Sequence, residues 1–442
     1  MGIRTREMVF LLAAWGLTTC TPAREPTTSF QASDSAGWHI VHSNRGSWKE
    51  GRKWTVSPEP KLVIGVLNGP KEYQFVRIED GTRLSDGRVV IVDGGAQVVR
   101  LYDPRGNFLK TLASSGPGPG EVTDPASVMV TAGDTLVVWD PALLRATRFA
   151  PSGDLLSAES VDWGKLAGRL GVEMVPEGEG AGGKKLPWPS PGLFPGHMEP
   201  LAEGGFLVRL VEKTGTTPGS GRYRTRSGAL RVSADLSVID TLMLFGDAEQ
   251  VVVMAPWGKF SVAPPAARNT RIAHSGASQR ICIGEAEETE ISCFDPGRRK
   301  TKLRWHMEPV PLTEDEVSAW REETVRLLDA KLSRSQVLDI LDQVPVPRVH
   351  PPFTQLFLDP DGNLWAQRGS PRSGSEGSND LIVFGPEGIL KGGVAVPPMR
   401  VLEIGRDYVL GVREDGLGIQ SVQLHELKKP QAETPETIVS SS

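Results

Sequence analysis

The sequence predicts an all-β fold, a six-bladed β-propeller of four-stranded antiparallel blades with a small inserted helical pair. Three observations lead to this prediction. A turn signature of an aromatic residue, Pro and Gly recurs at Tyr102–Gly106, Phe149–Gly153 and Phe384–Gly388, with a shortened copy at Phe294–Gly297. Turns followed by β-branched strands recur near residues 87, 133, 205, 276, 362 and 405. Gly and Pro number 49 and 35 in 442 residues, which is above average but below the share typical of disorder.

The turn signature predicts hairpins. Pro presets the backbone angle of a turn and Gly accepts positive φ, so the chain reverses after each aromatic residue. The shortest intervals between the recurring turns, from 87 to 133 and from 362 to 405, match the roughly 40–45 residues of one four-stranded blade. The longer intervals contain three insertions, at 164–200, 213–228 and 313–343.

The N-terminus has the features of an export signal. Arg4 and Arg6 precede the apolar run Met8–Leu17, which is shorter than the about 20 residues of a membrane span. Residues 1–20 are therefore predicted to be a signal peptide. The polar, Pro-containing residues 21–36 that follow are predicted to be a tether.

The end of the signal peptide, Leu17-Thr18-Thr19-Cys20, resembles the lipobox of bacterial lipoproteins, although Thr19 replaces the usual Gly, Ala or Ser. This resemblance implies a lipid on Cys20 and a membrane partner. Ordinary signal cleavage nearby, leaving a free Cys20, is the alternative.

The insertion at 313–343 has helical periodicity. Thr313 and Glu316 match a capping box, and Val317, Trp320, Leu327 and Leu328 follow at helical spacing. We expect this helical pair to cover part of the propeller, with a partner-binding helix as the alternative.

The predicted propeller spans residues 37–427. Its last blade lacks one strand, which has to come from another part of the chain. After the strand that follows the last predicted turn, only about one more strand, Ile419–Leu424, precedes the polar tail 428–442, which is predicted to be disordered. The N-terminal segment Lys61–Val66 is the simplest source of the missing outer strand, and its pairing would close the ring.

Two cysteines remain if Cys20 is lipidated. Cys282 and Cys293 lie on short alternating segments around Glu287-Glu288, so a hairpin turning there places them opposite each other. A disulfide is feasible in an oxidising compartment, and two buried thiols fit the pattern equally well.

One segment carries a family resemblance. The loop Gly116–Gly120, the strand Gly133–Val138, and Asp140, Arg145 and Phe149 together resemble one NHL-type repeat. Segment 76–111 is a second copy, with Val98 where the repeat arginine stands. The whole chain is similar to secreted six-bladed propellers of Gram-negative bacteria, many of them lipoproteins. This similarity implies an exported protein, periplasmic or anchored to the outer membrane.

Related propellers include metal-dependent lactonases, streptogramin-type lyases and peptide-amidating lyases, whose sites gather His, Asn or carboxylates at the channel mouth. By position, the candidates in this chain are Asp93, Asp140, His197, His274 and His350. None falls in a motif of those enzymes, so the sequence assigns no catalytic, cofactor-binding or metal-binding residue. The sequence leaves open whether a divalent metal binds at the channel axis.

Three further segments were weighed as sites. The loop Gly116–Gly120 lacks the N–H groups of a phosphate cradle at Pro117 and Pro119. Asp359–Asn363 is the nearest match to a calcium loop but is better explained as a β-turn. A basic loop could touch anionic glycans or lipid headgroups, or be a solvated insertion; its residues are Lys213, Arg222, Tyr223, Arg224 and Arg226.

The charge balance excludes one class of partner. Lys and Arg number 49 and Asp and Glu 54, a net charge of −5 that argues against the broad basic footprint of a nucleic-acid binder. The sequence favours a monomeric, non-enzymatic module tethered to the cell envelope, which binds or scaffolds a protein, peptide or carbohydrate. The alternative is a metal-dependent hydrolase or lyase, lactonase-like or streptogramin-lyase-like, with its site at the channel mouth.

Overall fold

The computed structural model describes residues 29–49, 53–169, 174–176, 187–189, 193–201, 204–212, 219–275, 277–295, 297, 299–328, 331–369 and 379–430. The predicted signal peptide, Cys20 and most of the predicted tail lie outside these ranges. Within them, strands form six sheets of four or more strands and one two-stranded ribbon. No helix in these ranges is long and apolar enough to cross a membrane.

The strands follow the chain from sheet to sheet. Three strands come first: β1 (Phe30–Ser35), β2 (Trp38–Ser43) and β3 (Thr55–Ile64). Sheet 1 contains β4 (Ile78–Arg83), β5 (Val89–Asp93), β6 (Val98–Tyr102), β7 (Phe108–Ser115) and β8 (Glu121–Val122). Sheet 2 contains β9 (Ser127–Thr131), β10 (Thr135–Asp140), β11 (Arg145–Phe149) and β12 (Leu155–Ser160). Helix α1 (Trp163–Arg169) and the ribbon of β13 (Met174–Pro176) and β14 (Pro187–Pro189) follow.

The second half repeats this plan. Sheet 3 contains β15 (Leu193–Pro200), β16 (Phe206–Glu212), β17 (Gly221–Val232), β18 (Val238–Ala255) and β19 (Gly258–Val262). Sheet 4 contains β20 (Arg271–His274), β21 (Ile281–Gly284), β22 (Glu290–Phe294) and β23 (Lys300–Trp305), extended by β2 and β1. Helices α2 (Glu314–Leu328) and α3 (Arg334–Leu341) come next. Sheet 5 contains β24 (Gln355–Leu358), β25 (Leu364–Gln367), β26 (Asn379–Phe384) and β27 (Leu390–Val396). Sheet 6 contains β28 (Arg400–Ile404), β29 (Tyr408–Glu414), β30 (Gln420–Lys428) and β3.

Each predicted turn joins two strands of one sheet. The turns near 87, 133, 205, 276, 362 and 405 connect the first and second strands, whereas the aromatic–Pro–Gly signatures connect the third and fourth. Gly106 and Gly388 close two signature turns with φ of 85° and 89°, a left-handed conformation that other residues adopt only with strain.

The hydrophobic core lies between neighbouring sheets. Six buried clusters each combine residues of two consecutive sheets, and one of them joins sheet 6 to sheet 1. In that cluster Ile64 and Leu410 of sheet 6 pack with Ile91 and Tyr102 of sheet 1. The order of sheets therefore closes on itself, which makes the fold β-propeller-like.

The predicted pairing of residues 61–66 with the last strand is confirmed. Strand β3 lies antiparallel to β30, with Leu62 opposite Leu424 and Ile64 opposite Val422. Strand β3, from the N-terminal part of the chain, and the last strand, β30, thus share sheet 6.

The described end of the segment 21–36, which was predicted to be a tether, forms a strand. Residues 30–35 form β1, which makes a hairpin with β2, and β2 pairs in parallel with β23. Residues of β1 are exposed at all six positions, so this edge strand lacks the apolar alternation from which a strand is predicted.

The helical insertion is found as predicted, although one residue of its predicted apolar stripe is exposed. Thr313 and Glu316 exchange the capping-box hydrogen bonds at the start of α2. The pair packs on sheet 3 through a cluster that includes Val325, Ile340 and Val253. Leu327, predicted to lie in the apolar stripe, is 74% exposed, and Val325 is buried in its place.

Candidate functional site

The first strands of all six sheets line one central cavity of about 910 Å³. Residues of β4, β9, β20, β24 and β28 form its wall, together with Glu199 of β15. The turns after these strands form the rim at one end. Because each first strand comes from a different sheet, side chains far apart in sequence meet here.

Glu403 connects sheet 6 to sheet 1 across the cavity wall. Its carboxylate accepts hydrogen bonds from the Thr82 hydroxyl (3.1 Å), the Arg83 backbone N–H (2.9 Å) and the Tyr408 hydroxyl (2.9 Å). Burial raises the pKa of the Glu403 carboxyl to about 7 against these donors, and the nearby Asp80 carboxyl adds to the rise.

Asp80 connects sheet 1 to sheet 2 in a similar way. Its carboxylate accepts hydrogen bonds from the backbone N–H of Val128 on β9 (2.9 Å) and from that of Gly81 (2.8 Å). Burial raises the pKa of Asp80 to about 6, opposed by those N–H groups and by the Arg400 charge, and assisted by Glu199.

A third pair connects sheets 3 and 4. Nε2 of His274 lies 2.8 Å from Oε2 of Glu199, and their side chains are 16% and 34% exposed. Both residues line the cavity. A carboxylate bonded to one ring nitrogen orients the imidazole, and such a group can transfer protons.

Charged side chains at the rim are paired. Arg83 lies 3.5 Å from the Asp407 carboxylate and stacks over the Tyr408 ring at 4.8 Å. Asp134, after β9, accepts a hydrogen bond from the Ser85 hydroxyl. The cavity therefore presents acidic and basic groups that already have protein partners.

Of the five candidates from the sequence, the structure places only His274 in the cavity wall. Asp93 and Asp140 end the second strands of sheets 1 and 2, and each accepts three backbone N–H hydrogen bonds. His350 pairs with Glu316 at the start of α2, with Nε2 3.1 Å from Oε1. His197 lies on β15 opposite Arg209, and its side chain is outside the described part of the structure.

Residues 359–363, the nearest match to a calcium loop, form a turn in which the Asp359 carboxylate is bonded to other groups of the protein. The buried Asp359 carboxylate accepts hydrogen bonds from the backbone N–H groups of Asp361 and Asn363 and from the Trp365 indole. The Lys429 ammonium lies 3.0 Å from the same carboxylate. The charge of Asp359 is thus compensated by Lys429.

The basic loop is described from residue 219 onward, and most of that part is a strand. Residues 221–228, predicted to be loop, extend β17, and Arg222 and Arg224 pair with Glu249 (2.6 Å) and Glu287 (3.0 Å). Lys213 lies outside the described residues. Two of the four basic side chains considered in this segment are thus paired with carboxylates of the protein itself.

The loop 116–120, considered above as a phosphate cradle, bonds to the protein itself. Its Gly118 N–H donates to the Glu121 carboxylate at 2.7 Å.

The two cysteines considered above are joined. Cys282 lies opposite Cys293, and the structure has a disulfide bond between their sulfur atoms. Among the residues with described coordinates, no three His, Cys, Asp or Glu side chains are grouped as a metal site requires.

Sequence reasoning missed the carboxylates of the cavity, although a signal was present. Three polar residues lie at the same position, two residues before the turn that ends a first strand. Thr82 precedes the turn at Leu84, Glu199 the turn at Leu201, and Glu403 the turn at Gly405. A polar residue at this repeated position indicates a side chain that faces the centre rather than the core between sheets.

The comparisons with known proteins concern the fold. No family model matches the sequence, and no curated protein matches it. A Bacteroides fragilis protein named as exported has 10% identity and a TM-score of 0.45, over 89% of this chain and 100% of that one. Virginiamycin B lyase from Staphylococcus aureus has 10% identity and a TM-score of 0.35, over 84% and 99%. A gluconolactonase from Xanthomonas campestris has 13% identity and a TM-score of 0.34, over 80% and 87%.

Proposed function

We propose that this protein is an exported, monomeric β-propeller of six NHL-type blades, tethered to the cell envelope through Cys20, whose central cavity binds a peptide or carbohydrate. The observation that supports this most is the convergence of all six first strands on one cavity, whose wall combines apolar side chains with a few polar and charged ones. Ligand sites are commonly concave, of about 300–1,000 Å³, with a few polar groups that orient the ligand.

Binding is favoured over catalysis by the way the cavity carboxylates are used. Glu403 and Asp80 accept hydrogen bonds across the boundaries of sheet 1 with sheets 6 and 2. A catalytic carboxyl has to reach the substrate, whereas these two stabilise the wall. Glu199 is the more exposed member of its pair, so we propose that it contacts the ligand.

The test is a Glu199→Gln substitution assayed by titration calorimetry against short peptides and oligosaccharides. We expect one of these two classes to bind the wild-type protein. We expect the variant to bind at least about tenfold more weakly, since a hydrogen bond to a charged group contributes roughly 1.5–3 kcal/mol.

The matched control is Glu159→Gln, which changes an exposed glutamate on β12, outside the residues that line the cavity. Its affinity should equal that of the wild type. Equal loss in both variants, or no binding of either class, would contradict the proposal.

A second candidate function is a hydrolase or lyase, and the His274–Glu199 pair is the observation that favours it. An imidazole held by a carboxylate can serve as a general base. In this case the purified protein turns over lactones or cyclic peptides, with or without added divalent metal. His274→Ala would then abolish turnover while the protein stays folded.

The lipid anchor is tested by Cys20→Ser. We expect the wild-type protein in the membrane fraction and the variant in the soluble periplasmic fraction, since the thiol is the site of lipid attachment. Fractionation followed by immunoblotting measures both. An unchanged distribution would mean that ordinary cleavage without a lipid takes place.

A further inference from the structure

We propose that the end of the ring opposite the rim rests on the membrane that carries the protein, with exposed apolar side chains entering the lipid headgroup region. This end, called the base, consists of the turns between second and third strands and of the links from one sheet to the next. The inference rests on the attachment at Cys20 proposed above, and adds to it a lipid-binding surface and an orientation.

Strand direction places these segments at the base. First strands run toward the rim and second strands run away from it, so a turn such as 415–419, between β29 and β30, lies at the base. Strand β3 runs antiparallel to β30 and therefore ends there too. Residues 65–77 lead from β3 to the start of β4, where the Ile78 N–H donates to the Gln420 side chain at 2.8 Å. The link 65–77 and the turn 415–419 are thus neighbours at the base.

The tip of the β18–β19 hairpin also belongs to the base, because β18 continues past the end of β16. Strand β16 ends at Glu212, close to the point where Ser227 lies opposite Phe245, whereas β18 runs on from Phe245 to Ala255. Strand β19 folds back along the end of β18, and helices α2 and α3 pack on this extension.

Exposed apolar side chains form two groups at the base. Single exposed apolar residues are normal on a protein surface, so their arrangement is what matters. One group lies between sheets 6 and 1 and includes Leu417, which is 78% exposed; the other lies at the hairpin tip of sheet 3 and includes Trp257, which is 38% exposed. The six residues of the two groups are Val66, Leu67, Val76, Met254, Trp257 and Leu417. Sheets 3 and 6 lie on opposite sides of the ring, so both groups can contact one flat surface.

The rim has the opposite chemistry. Exposed carboxylates lie in its turns at Asp86, Asp154, Asp235 and Asp407. Among the described residues of these turns, none is an exposed large apolar side chain. Anionic lipid headgroups repel carboxylates, whereas tryptophan is favoured at the boundary between headgroups and acyl chains. The base is therefore the end that fits a lipid surface.

The start of the described chain favours the same orientation. Phe30 lies opposite Ser43, which lies beside Trp305 at the end of the fourth strand of sheet 4, and hence at the base. From there the residues 21–29 reach at most about 30 Å toward Cys20. The six residues of β1 place the rim about 20 Å farther away. An attached lipid therefore brings the base to the bilayer readily, whereas contact through the rim uses most of the available chain.

The test measures how close single positions lie to lipid. Lipidated full-length protein is reconstituted into vesicles of phosphatidylethanolamine and phosphatidylglycerol that contain a lipid with a nitroxide on its acyl chain. With Cys20 lipidated and Cys282 bonded to Cys293, a new cysteine is the free thiol to which an environment-sensitive fluorophore attaches. We expect the nitroxide to quench most of the fluorescence in Trp257→Cys and in Leu417→Cys. The matched control is Leu156→Cys, an exposed leucine at the rim end of β12, whose fluorescence should not change.

A second measurement separates this surface from the anchor. Cys20→Ser protein from the soluble fraction is mixed with the same vesicles, and the vesicle-bound share is measured by flotation. Adding Trp257→Asp and Leu417→Asp should lower the ratio of bound to free protein by at least about tenfold, because apolar side chains are then replaced by charges in the headgroup region. Adding Leu156→Asp instead should leave the ratio as it is in Cys20→Ser alone.

The outcomes distinguish the base from the anchor. Quenching at Leu156→Cys that equals or exceeds quenching at the two base positions, or no quenching at any of them, would overturn the proposed orientation and leave the anchor intact. A wild-type protein that does not float with vesicles would instead overturn the anchor. In that case flotation of Cys20→Ser decides: binding that depends on Trp257 and Leu417 supports the lipid-binding base, and absence of binding overturns it.

Discussion

Replacing Asp140 by Ala should lower the free energy of unfolding by about 3–5 kcal/mol. The side chain is 1% exposed, and its carboxylate accepts hydrogen bonds from the backbone N–H groups of Thr123, Asp124 and Leu143. Alanine leaves three N–H groups without this acceptor at the end of β10. Each buried, unsatisfied group costs roughly 1–3 kcal/mol.

Urea denaturation followed by tryptophan fluorescence measures this loss. The free energy of unfolding of Asp140→Asn should lie between those of the wild type and Asp140→Ala. The asparagine side chain has a single amide oxygen, which can accept only some of the three backbone N–H hydrogen bonds. Glu159→Ala, on the exposed side of the same sheet, should stay within about 0.5 kcal/mol of the wild type. A fully stable Asp140→Ala protein would show that the carboxylate is kept for function rather than for folding.

The role of Asp140 shows why position along a strand did not identify the site. An aspartate that follows an apolar strand looks the same in sequence whether it caps a turn or faces a substrate. Asp93 repeats the arrangement in sheet 1, with hydrogen bonds from Val76, Arg77 and Ala96. In sheets 1 and 2 the aspartate at the end of the second strand therefore has the same structural role, which is to accept the backbone N–H groups around the following turn.

Local chemistry made much of the fold predictable. Turn residues such as Gly106 need positive φ, the capping box at Thr313 marks the start of α2, and the last sheet is completed by β3. Each of these features depends on neighbours within a few residues or on a simple count of strands. Strand β15 was hidden, because residues 193–200 lie at the end of a segment rich in Gly and Pro.

The cavity depends on contacts that no local pattern records. Strand β5 is buried at all five positions and reads as a clear apolar strand, whereas β4 mixes polar and apolar residues because one face meets the cavity. Glu403 and Thr82 are 321 residues apart in sequence and meet only when sheet 6 packs against sheet 1. The sequence therefore predicts the sheets better than it predicts the side chains between them.

The second large effect is expected from the pair Cys282 and Cys293. Removing this disulfide with the double substitution Cys282→Ala and Cys293→Ala should lower the free energy of unfolding by about 3 kcal/mol. The reason is that the unfolded chain without the cross-link has more conformational entropy, which stabilises the unfolded state by about that amount for a loop of this size. The two residues are 11 apart in sequence, and both are fully buried. Urea denaturation of the oxidised wild type and of the variant measures the difference.

The reduced wild-type protein separates the covalent bond from packing. It keeps both sulfur atoms in the core between sheets 4 and 5, where Cys282 and Cys293 pack with Ile291 and Phe384. If the bond itself stabilises the fold, the wild type unfolded in the presence of reductant should resemble the variant. Equal stability with and without reductant would instead mean that two packed thiols suffice. The first outcome makes full stability depend on an oxidising compartment, because disulfides are rarely kept in the cytosol. It would therefore support export independently of the signal peptide.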